Sequence, residues 1–144
     1  MKVDVTTVKA EFMILGDGIL PEEISKRLNI SPSLQWQKGD PLRSGRVQEC
    51  SGWEISTDYE ESLDINDQIN IIIGKVNDKR DELADICNKK GMESRFCIVI
   101  KIENGQTPAM MLDREIIEFI YLINGEIEFD VYANPYSAYP NNTR

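Results

Sequence analysis

Alternating apolar and polar residues predict three strands in this chain. The apolar positions are Val8, Ala10, Phe12 and Ile14 in the first, Phe96, Ile98, Ile100 and Ile102 in the second, and Ile127, Phe129 and Val131 in the third. A period of two residues is typical of a strand with one buried face. The residues between the apolar ones are largely charged, so we expect one face of the sheet to lie open to water and the helices to cover the other.

Three helices are predicted between the strands. They begin at Pro21, at Asp64 or Ser62, and at Asp113, and they end before Pro32, near Lys90 and at Gly125. Proline at a first helical position, aspartate or serine at an N-cap and glycine after a C-terminus are the usual boundary residues. Gly74 lies inside the long second helix, where we expect a slight bend or close packing.

A hairpin is predicted around the two tryptophans. Its first strand is centred on Trp36, and its second runs from Arg46 to Ser56 with Trp53 and Ile55 on one face. The predicted fold is an α+β two-layer sandwich. With this hairpin it is a ferredoxin-like β-α-β-β-α-β unit followed by an α-β extension. The mixed or antiparallel sheet then has four to five strands, with three helices on one face. Without the hairpin, four strands alternate with three helices.

The length of 144 residues fits one domain, for which we predict residues 1–133, followed by a flexible tail of residues 134–144. The hydrophobic fraction of 41% and the charged fraction of 28% are those of a soluble globular protein. No apolar run approaches the roughly 18 residues that span a bilayer. The N-terminal segment alternates polar and apolar residues and does not resemble a signal peptide. We therefore expect a cytoplasmic protein without a membrane partner.

The chain contains no histidine, which removes imidazole acid–base steps, Ser-His and Cys-His nucleophiles, and His-ligated zinc. Its cysteines, Cys50, Cys87 and Cys97, form no CxxC pair. The phosphate-binding and nucleophile-elbow motifs are also absent. We predict a protein that is not an enzyme and that has no catalytic residues, no metal site and no cofactor.

The formal net charge of −9 argues against an unaided nucleic-acid binder. Residues 26–46 carry a local charge of +4, whereas residues 47–74 contain no lysine or arginine and carry −7. This acidic stretch is either solvated surface or a face that attracts a basic protein partner. The candidate partner-binding residues are Glu49, Glu54, Asp58, Glu60 and Glu61.

The segment between the tryptophans allows two interpretations. In the structural one, Trp36 and Trp53 pack across the hairpin and its glycines form turns. In the functional one, the segment is an anion pocket with arginine forks, exposed amides and a tryptophan wall, suited to a carboxylate or phosphate ligand. The candidate ligand-binding residues are Trp36, Lys38, Arg43, Arg46 and Trp53.

Four short motifs resemble one protein family. They are Leu20-Pro21-Glu22-Glu23-Ile24, Trp36-Gln37-Lys38-Gly39-Asp40, Gly52-Trp53 and Phe129-Asp130-Val131-Tyr132. In this order, with a long helix and an apolar strand between the last two, they resemble the bacterial "domain of unknown function 4279" family from about Val8 to Tyr132. The resemblance supports the α+β fold and implies no catalytic or binding residue.

Two function hypotheses follow from these features. The first is a cytosolic protein-interaction module, for instance an immunity or antitoxin-type inhibitor whose acidic face covers a basic partner. The second is a small sensor that binds an anionic ligand through Lys38, Arg43 and Arg46.

Overall fold

The computed structural model describes residues 4–135, beginning with a strand and a helix where the sequence predicts them. In strand β1 (Thr7–Gly16) the alternate residues Val8, Ala10, Phe12 and Ile14 are fully buried. Helix α1 (Pro21–Leu28) begins with a proline, whose missing N–H has no helical partner to lose at that position. The helix ends at Asn29, whose φ of 54° lies in the left-handed region.

The predicted hairpin is present, with a second strand shorter than expected. Strands β2 (Leu34–Trp36) and β3 (Gly52–Ser56) pair antiparallel. The sequence placed the start of the second strand at Arg46, but residues 46–51 belong to the connecting loop. The reason is the length of β1. Gly52 pairs with Leu15, and the amide of Gly16, the last residue of β1, donates to the Ser51 carbonyl at 2.9 Å, so residues before Ser51 have no β1 residue to pair with.

A two-residue strand, β4 (Glu60–Glu61), pairs with the beginning of β1 and was not predicted. Between β3 and β4, the Thr57 amide donates to the Ala10 carbonyl at 2.9 Å and the Thr57 hydroxyl accepts from the Ala10 amide at 3.0 Å. A strand of two residues is too short to show a periodicity in the sequence.

The predicted long helix is interrupted. It consists of α2 (Ile65–Val76), a 3-10 turn (Asn77–Lys79) and α3 (Arg80–Cys87). The prediction of one continuous helix to Lys90 is therefore wrong. Gly74 lies inside α2, and an added Cβ there would meet no atom within 4 Å, so this glycine does not mark close packing. The break falls on Asn77 and Asp78, whose short polar side chains compete with helical backbone hydrogen bonds.

The remaining elements are β5 (Met92–Ile102), α4 (Arg114–Leu122) and β6 (Glu126–Ala133). Both aspartate caps are confirmed: Asp64 accepts a hydrogen bond from the Asn66 amide, and Asp113 accepts one from the Ile116 amide, each at 2.9 Å. Residues 136–144 of the predicted flexible tail lie outside the described residues.

The strands form a mixed sheet in the order β2-β3-β1-β5-β6, with β4 also paired to β1. Pairs β2·β3, β3·β1 and β1·β5 are antiparallel, and β5·β6 is parallel. The first four strands of this order, joined by α1 and by α2–α3, have the arrangement of a ferredoxin-like β-α-β-β-α-β unit. Helix α4 and strand β6 then add the predicted α-β extension at one edge.

The hydrophobic core lies between the sheet and its helices. Buried side chains of all four α-helices join the inward residues of β1, β3 and β5 in one cluster. At its centre Phe12 and Phe96 have ring centroids 4.8 Å apart, and Phe96 meets Phe119 of α4 at 6.2 Å. All the helices of residues 4–135 therefore pack on one side. We call the opposite side the helix-free face.

Candidate functional site

The loop between β2 and β3 is an exposed arm with its own backbone hydrogen bonds. Gly39 donates to the Gln48 carbonyl at 2.9 Å, Gln48 donates to Asp40 at 2.8 Å, and Leu42 donates to Arg46 at 2.8 Å. Gly39 and Gly45 have φ values of 92° and 84°, which favour glycine. The turn glycines of the sequence prediction are therefore present, in a loop whose residues 37–47 are all exposed.

Trp36 and Trp53 lie on opposite faces of the hairpin. Trp53 is fully buried beneath α1, where its indole Nε1 donates to the Ser25 hydroxyl at 2.9 Å. Trp36 pairs with Gly52 on the helix-free face, where a Cβ on that glycine would lie 2.1 Å from the indole ring. Each tryptophan thus has a packing role, but they do not pack on each other as the sequence interpretation proposed.

The basic residues of the candidate anion pocket belong to the exposed arm. Lys38, Arg43 and Arg46 are exposed, and the Arg46 guanidinium lies 3.8 Å from the Glu49 carboxylate. Trp53 is buried on the helix side and Trp36 lies on the helix-free face. The fold therefore does not bring the five candidate ligand-binding residues into a common pocket.

The five candidate partner-binding acids are spread along the sheet. Glu49 belongs to the exposed arm, Glu54 lies on the helix-free face, and Asp58, Glu60 and Glu61 are exposed near the start of β1. Glu54 pairs with Met13 and Glu61 pairs with Thr7, so these two acids are separated by roughly 20 Å along β1 at the usual rise per strand residue. The five acids form a line along the sheet and not a compact patch.

Glu54 has a close carboxylate neighbour that sequence separation conceals. Met13 pairs with Glu54 in the sheet, which places Glu11 beside it on the helix-free face. Burial of the Glu54 side chain, followed by the charge and hydrogen bond of Glu11, raises the pKa of the Glu54 carboxyl from 4.5 to about 7, against a lowering effect of Lys9. The Lys9 ammonium lies 3.7 Å from the Glu11 carboxylate.

Strand β6 places a row of three acids on the helix-free face. Glu126, Glu128 and Asp130 lie opposite Arg95, Cys97 and Val99 of β5. Arg95 approaches Glu128 at 3.8 Å. The alternation in the sequence predicts β6 as an amphipathic strand, but it does not mark these acids as a candidate site. The signal was present, since three acids occupy alternate positions, but their position at the sheet edge follows from parallel pairing between β5 and β6.

Two lysines of the helix-free face, Lys9 and Lys101, form cation–π contacts with Tyr59. The Lys101 ammonium lies 3.9 Å from the ring centroid of Tyr59, and that of Lys9 lies 5.3 Å from it. Tyr59, Lys101, Tyr132 and Asn134 line an open cavity of about 440 Å³. The cation–π contacts and the Lys9–Glu11 pair occupy these two lysines within the protein itself.

Two of the three cysteines, Cys87 and Cys97, are poorly placed for thiolate chemistry. Burial raises the pKa of the Cys87 thiol to about 12, and burial together with nearby acids, Glu11 first among them, raises that of Cys97 to about 11. Within residues 4–135, no group of three or more Cys, Asp and Glu side chains is arranged to hold a metal ion. None of the helices in the described range is both long and apolar enough to cross a membrane.

The comparisons with known proteins yield one match. The model of the family described as "Domain of unknown function (DUF4279)" matches residues 6–134, nearly the whole chain. No curated protein and no solved structure matches the chain significantly.

Proposed function

This chain belongs to the DUF4279 family, a domain of unknown function, and we propose that it is a non-catalytic protein-interaction module that binds a basic protein partner. An inhibitor of the immunity or antitoxin type is one example of such a module. The proposal places the binding surface on the helix-free face, toward the β6 edge, and not along the Glu49–Glu61 line alone.

The observation that carries the proposal is the charge of the helix-free face. Its acids on the strands are Glu11, Glu54, Glu93, Glu126, Glu128 and Asp130, and its cations are Lys9, Arg95 and Lys101. Two of these cations lie close to acids of the same face, Lys9 to Glu11 and Arg95 to Glu128. Asp58, Glu60 and Glu61 add further acids near the start of β1. Such a surface attracts a basic partner over a distance of about one Debye length and repels acidic ones.

Exposed apolar side chains on this face give the proposed partner more than charge to bind. Leu34, Tyr59 and Tyr132 lie exposed at its periphery, between 42% and 55% accessible. Interfaces gain much of their affinity from a few such apolar and aromatic side chains, while the charges determine partner choice and the association rate.

The experiment compares two charge-reversal variants in capture from the native lysate. The face variant is Glu126→Lys with Glu128→Lys, and the control is Asp78→Lys with Asp81→Lys on the exposed side of the helix layer. Both change the net charge by the same amount. We expect the wild-type protein and the control to recover the same basic protein in stoichiometric amount, and the face variant to lose it.

Raised salt should weaken the capture of that protein, because the face charges are solvent-exposed. Recovery of the bait alone in repeated experiments would contradict the proposed function. Equal loss in both variants would show that net charge, and not this face, attracts the partner.

A further inference from the structure

The geometry points to strand β6 as the site where a partner adds a strand to the sheet. We infer that the occupant is an extended segment of the basic partner with cationic and apolar residues at alternate positions. This inference rests on the proposed function and specifies how the partner would bind.

The first argument is the open backbone edge. β6 has eight residues and is the terminal strand of the described sheet. The Asn134 amide donates to the Ile102 carbonyl of β5 at 2.9 Å. The N–H and C=O of one strand residue point to the same side, and the side alternates from residue to residue. The N–H and C=O groups of Ile127, Phe129 and Val131 therefore point away from β5. These donors and acceptors can pair with a further strand, the arrangement known as β-augmentation.

The second argument is that the two sides of β6 present different chemistry. Glu126, Glu128 and Asp130 form an acidic row on the helix-free face. On the helix side, Phe129 is 37% exposed and Val131 is 45% exposed, so the helix layer does not fully cover this edge. An added strand with basic residues on one face and apolar residues on the other would match both rows.

Helix α4, which precedes β6 in the chain, also carries exposed apolar residues. It connects β5 to β6, and its residues Ile117 and Tyr121, one helical turn apart, are 54% and 87% exposed. They line a cavity of about 640 Å³ with Leu122 and Asn88.

Charge decides between a partner strand and a second copy of the chain. In an antiparallel pair of two β6 strands centred on Phe129, each Glu128 would lie opposite an Asp130 on the helix-free face. Like charges directly opposite each other destabilise a strand pair. The acidic row therefore disfavours self-pairing, as charged edge strands do in natural sheets, and favours a basic strand.

The test uses the full chain and a labelled peptide of about seven residues with alternating lysine and valine, a length that matches an ordinary strand. Binding is followed by fluorescence anisotropy at about 0.05 M salt, with a second titration at about 0.5 M. The comparison peptide has the same composition with its lysines and valines grouped in blocks. We expect the alternating peptide to bind at least about fivefold more tightly.

The decisive variant is Val131→Pro. Proline removes the outward N–H of Val131 while the β5 side of β6 keeps its hydrogen bonds, since proline is tolerated on an edge strand whose N–H faces solvent. The control, Val131→Ala, keeps the N–H and shortens the side chain. We expect Val131→Pro to weaken peptide binding about tenfold or more, and Val131→Ala about threefold or less.

Three other outcomes would overturn the inference. The last of them also shows whether only strand addition at β6 fails or the binding of a basic partner fails as well. Equal affinity of Val131→Pro and the wild type, or of the two peptides, would rule out strand addition at β6. A wild-type dimer that Val131→Pro converts to a monomer would make a second copy the occupant. If Val131→Pro still captures the lysate partner while Glu126→Lys with Glu128→Lys does not, the proposed function stands and the strand-addition geometry is wrong. Circular dichroism and thermal melting confirm that each variant is folded.

Discussion

At Gly52 the backbone of β3 runs directly beneath an aromatic ring. An added Cβ would lie 2.1 Å from Cζ2 of Trp36, closer than any real contact. We predict that Gly52→Ala lowers the free energy of unfolding by about 1–3 kcal/mol, because the indole must move out of its packed position. Urea denaturation measures the change.

The control for Gly52 is a double mutant. In a Trp36→Ala background the ring is gone, so Gly52→Ala should cost less than half as much as in the wild type. An equal cost in both backgrounds would mean that the penalty comes from the backbone and not from contact with the indole.

Glu54 should make stability depend on pH in an unusual direction for a carboxyl group. Its native pKa of about 7 lies above its ordinary value of 4.5, so the native state binds the proton more tightly than the unfolded state. The stabilising contribution of this group is therefore full at low pH and is lost as pH rises through about 7. Because Glu54 is half-exposed, we expect on the order of 1 kcal/mol from about pH 5 to about pH 8.

Two variants test this pH dependence by chemical denaturation. Glu54→Gln should remove the decline between acidic and neutral pH. Glu11→Gln removes a neighbouring negative charge that raises the pKa of Glu54, and it should move the decline to lower pH. A wild-type curve that rises over this range, or that matches Glu54→Gln throughout, would contradict the assignment.

Gly74 and Gly45 give a matched pair of substitutions in two elements. An added Cβ would meet no atom within 4 Å at either position. Gly74 has helical backbone within α2, whereas Gly45 has φ 84° in the arm. We predict that Gly74→Ala raises the free energy of unfolding by about 0.5–1 kcal/mol and that Gly45→Ala lowers it by about 1 kcal/mol.

Thermal or urea unfolding measures both glycine variants. The difference in sign comes from the backbone alone, since alanine is favoured in a helix and disfavoured at positive φ. A destabilising Gly74→Ala would contradict the regular helical backbone at Gly74 and would support a bend there, one of the two alternatives that the sequence predicts.

The elements that could be predicted from the sequence are those with strong local signals. Alternation predicted β1, β5 and β6, Asp113 predicted one helix start, and Asp64 was one of two candidates for another. The break at Asn77–Lys79 was missed because the apolar period continues across it into α3. β4 was missed because two residues show no period, and the start of β3 depends on where its partner β1 ends.

The candidate surface depended on information that no local pattern contains. Glu11 and Glu54 are distant in sequence and become neighbours only because β1 pairs with β3. The two tryptophans looked like one site in the sequence, but the pleat of the hairpin directs them to opposite faces. Likewise, the acids of β6 gain their proposed role from the terminal position of that strand.

On the scale of the whole molecule, the parallel extension β5-α4-β6 changes the character of the sheet. A ferredoxin-like unit alone would end at β5, whose helix-free side carries one acid, Glu93, and two cations, Arg95 and Lys101. The extension replaces that edge with a strand whose row is Glu126, Glu128 and Asp130. The molecule therefore presents its long open edge and a strongly acidic row at the same place.

Amide hydrogen exchange, followed residue by residue by NMR, tests strand addition at β6 most directly. In the free protein, we predict slow exchange at Glu128 and Asp130, whose amides face β5, and fast exchange at Phe129 and Val131. Addition of the alternating lysine–valine peptide should slow exchange at Phe129 and Val131 and leave the arm and α1 unchanged. Slow exchange at Phe129 and Val131 before any peptide is added, or peptide-induced protection elsewhere but not on β6, would contradict the account.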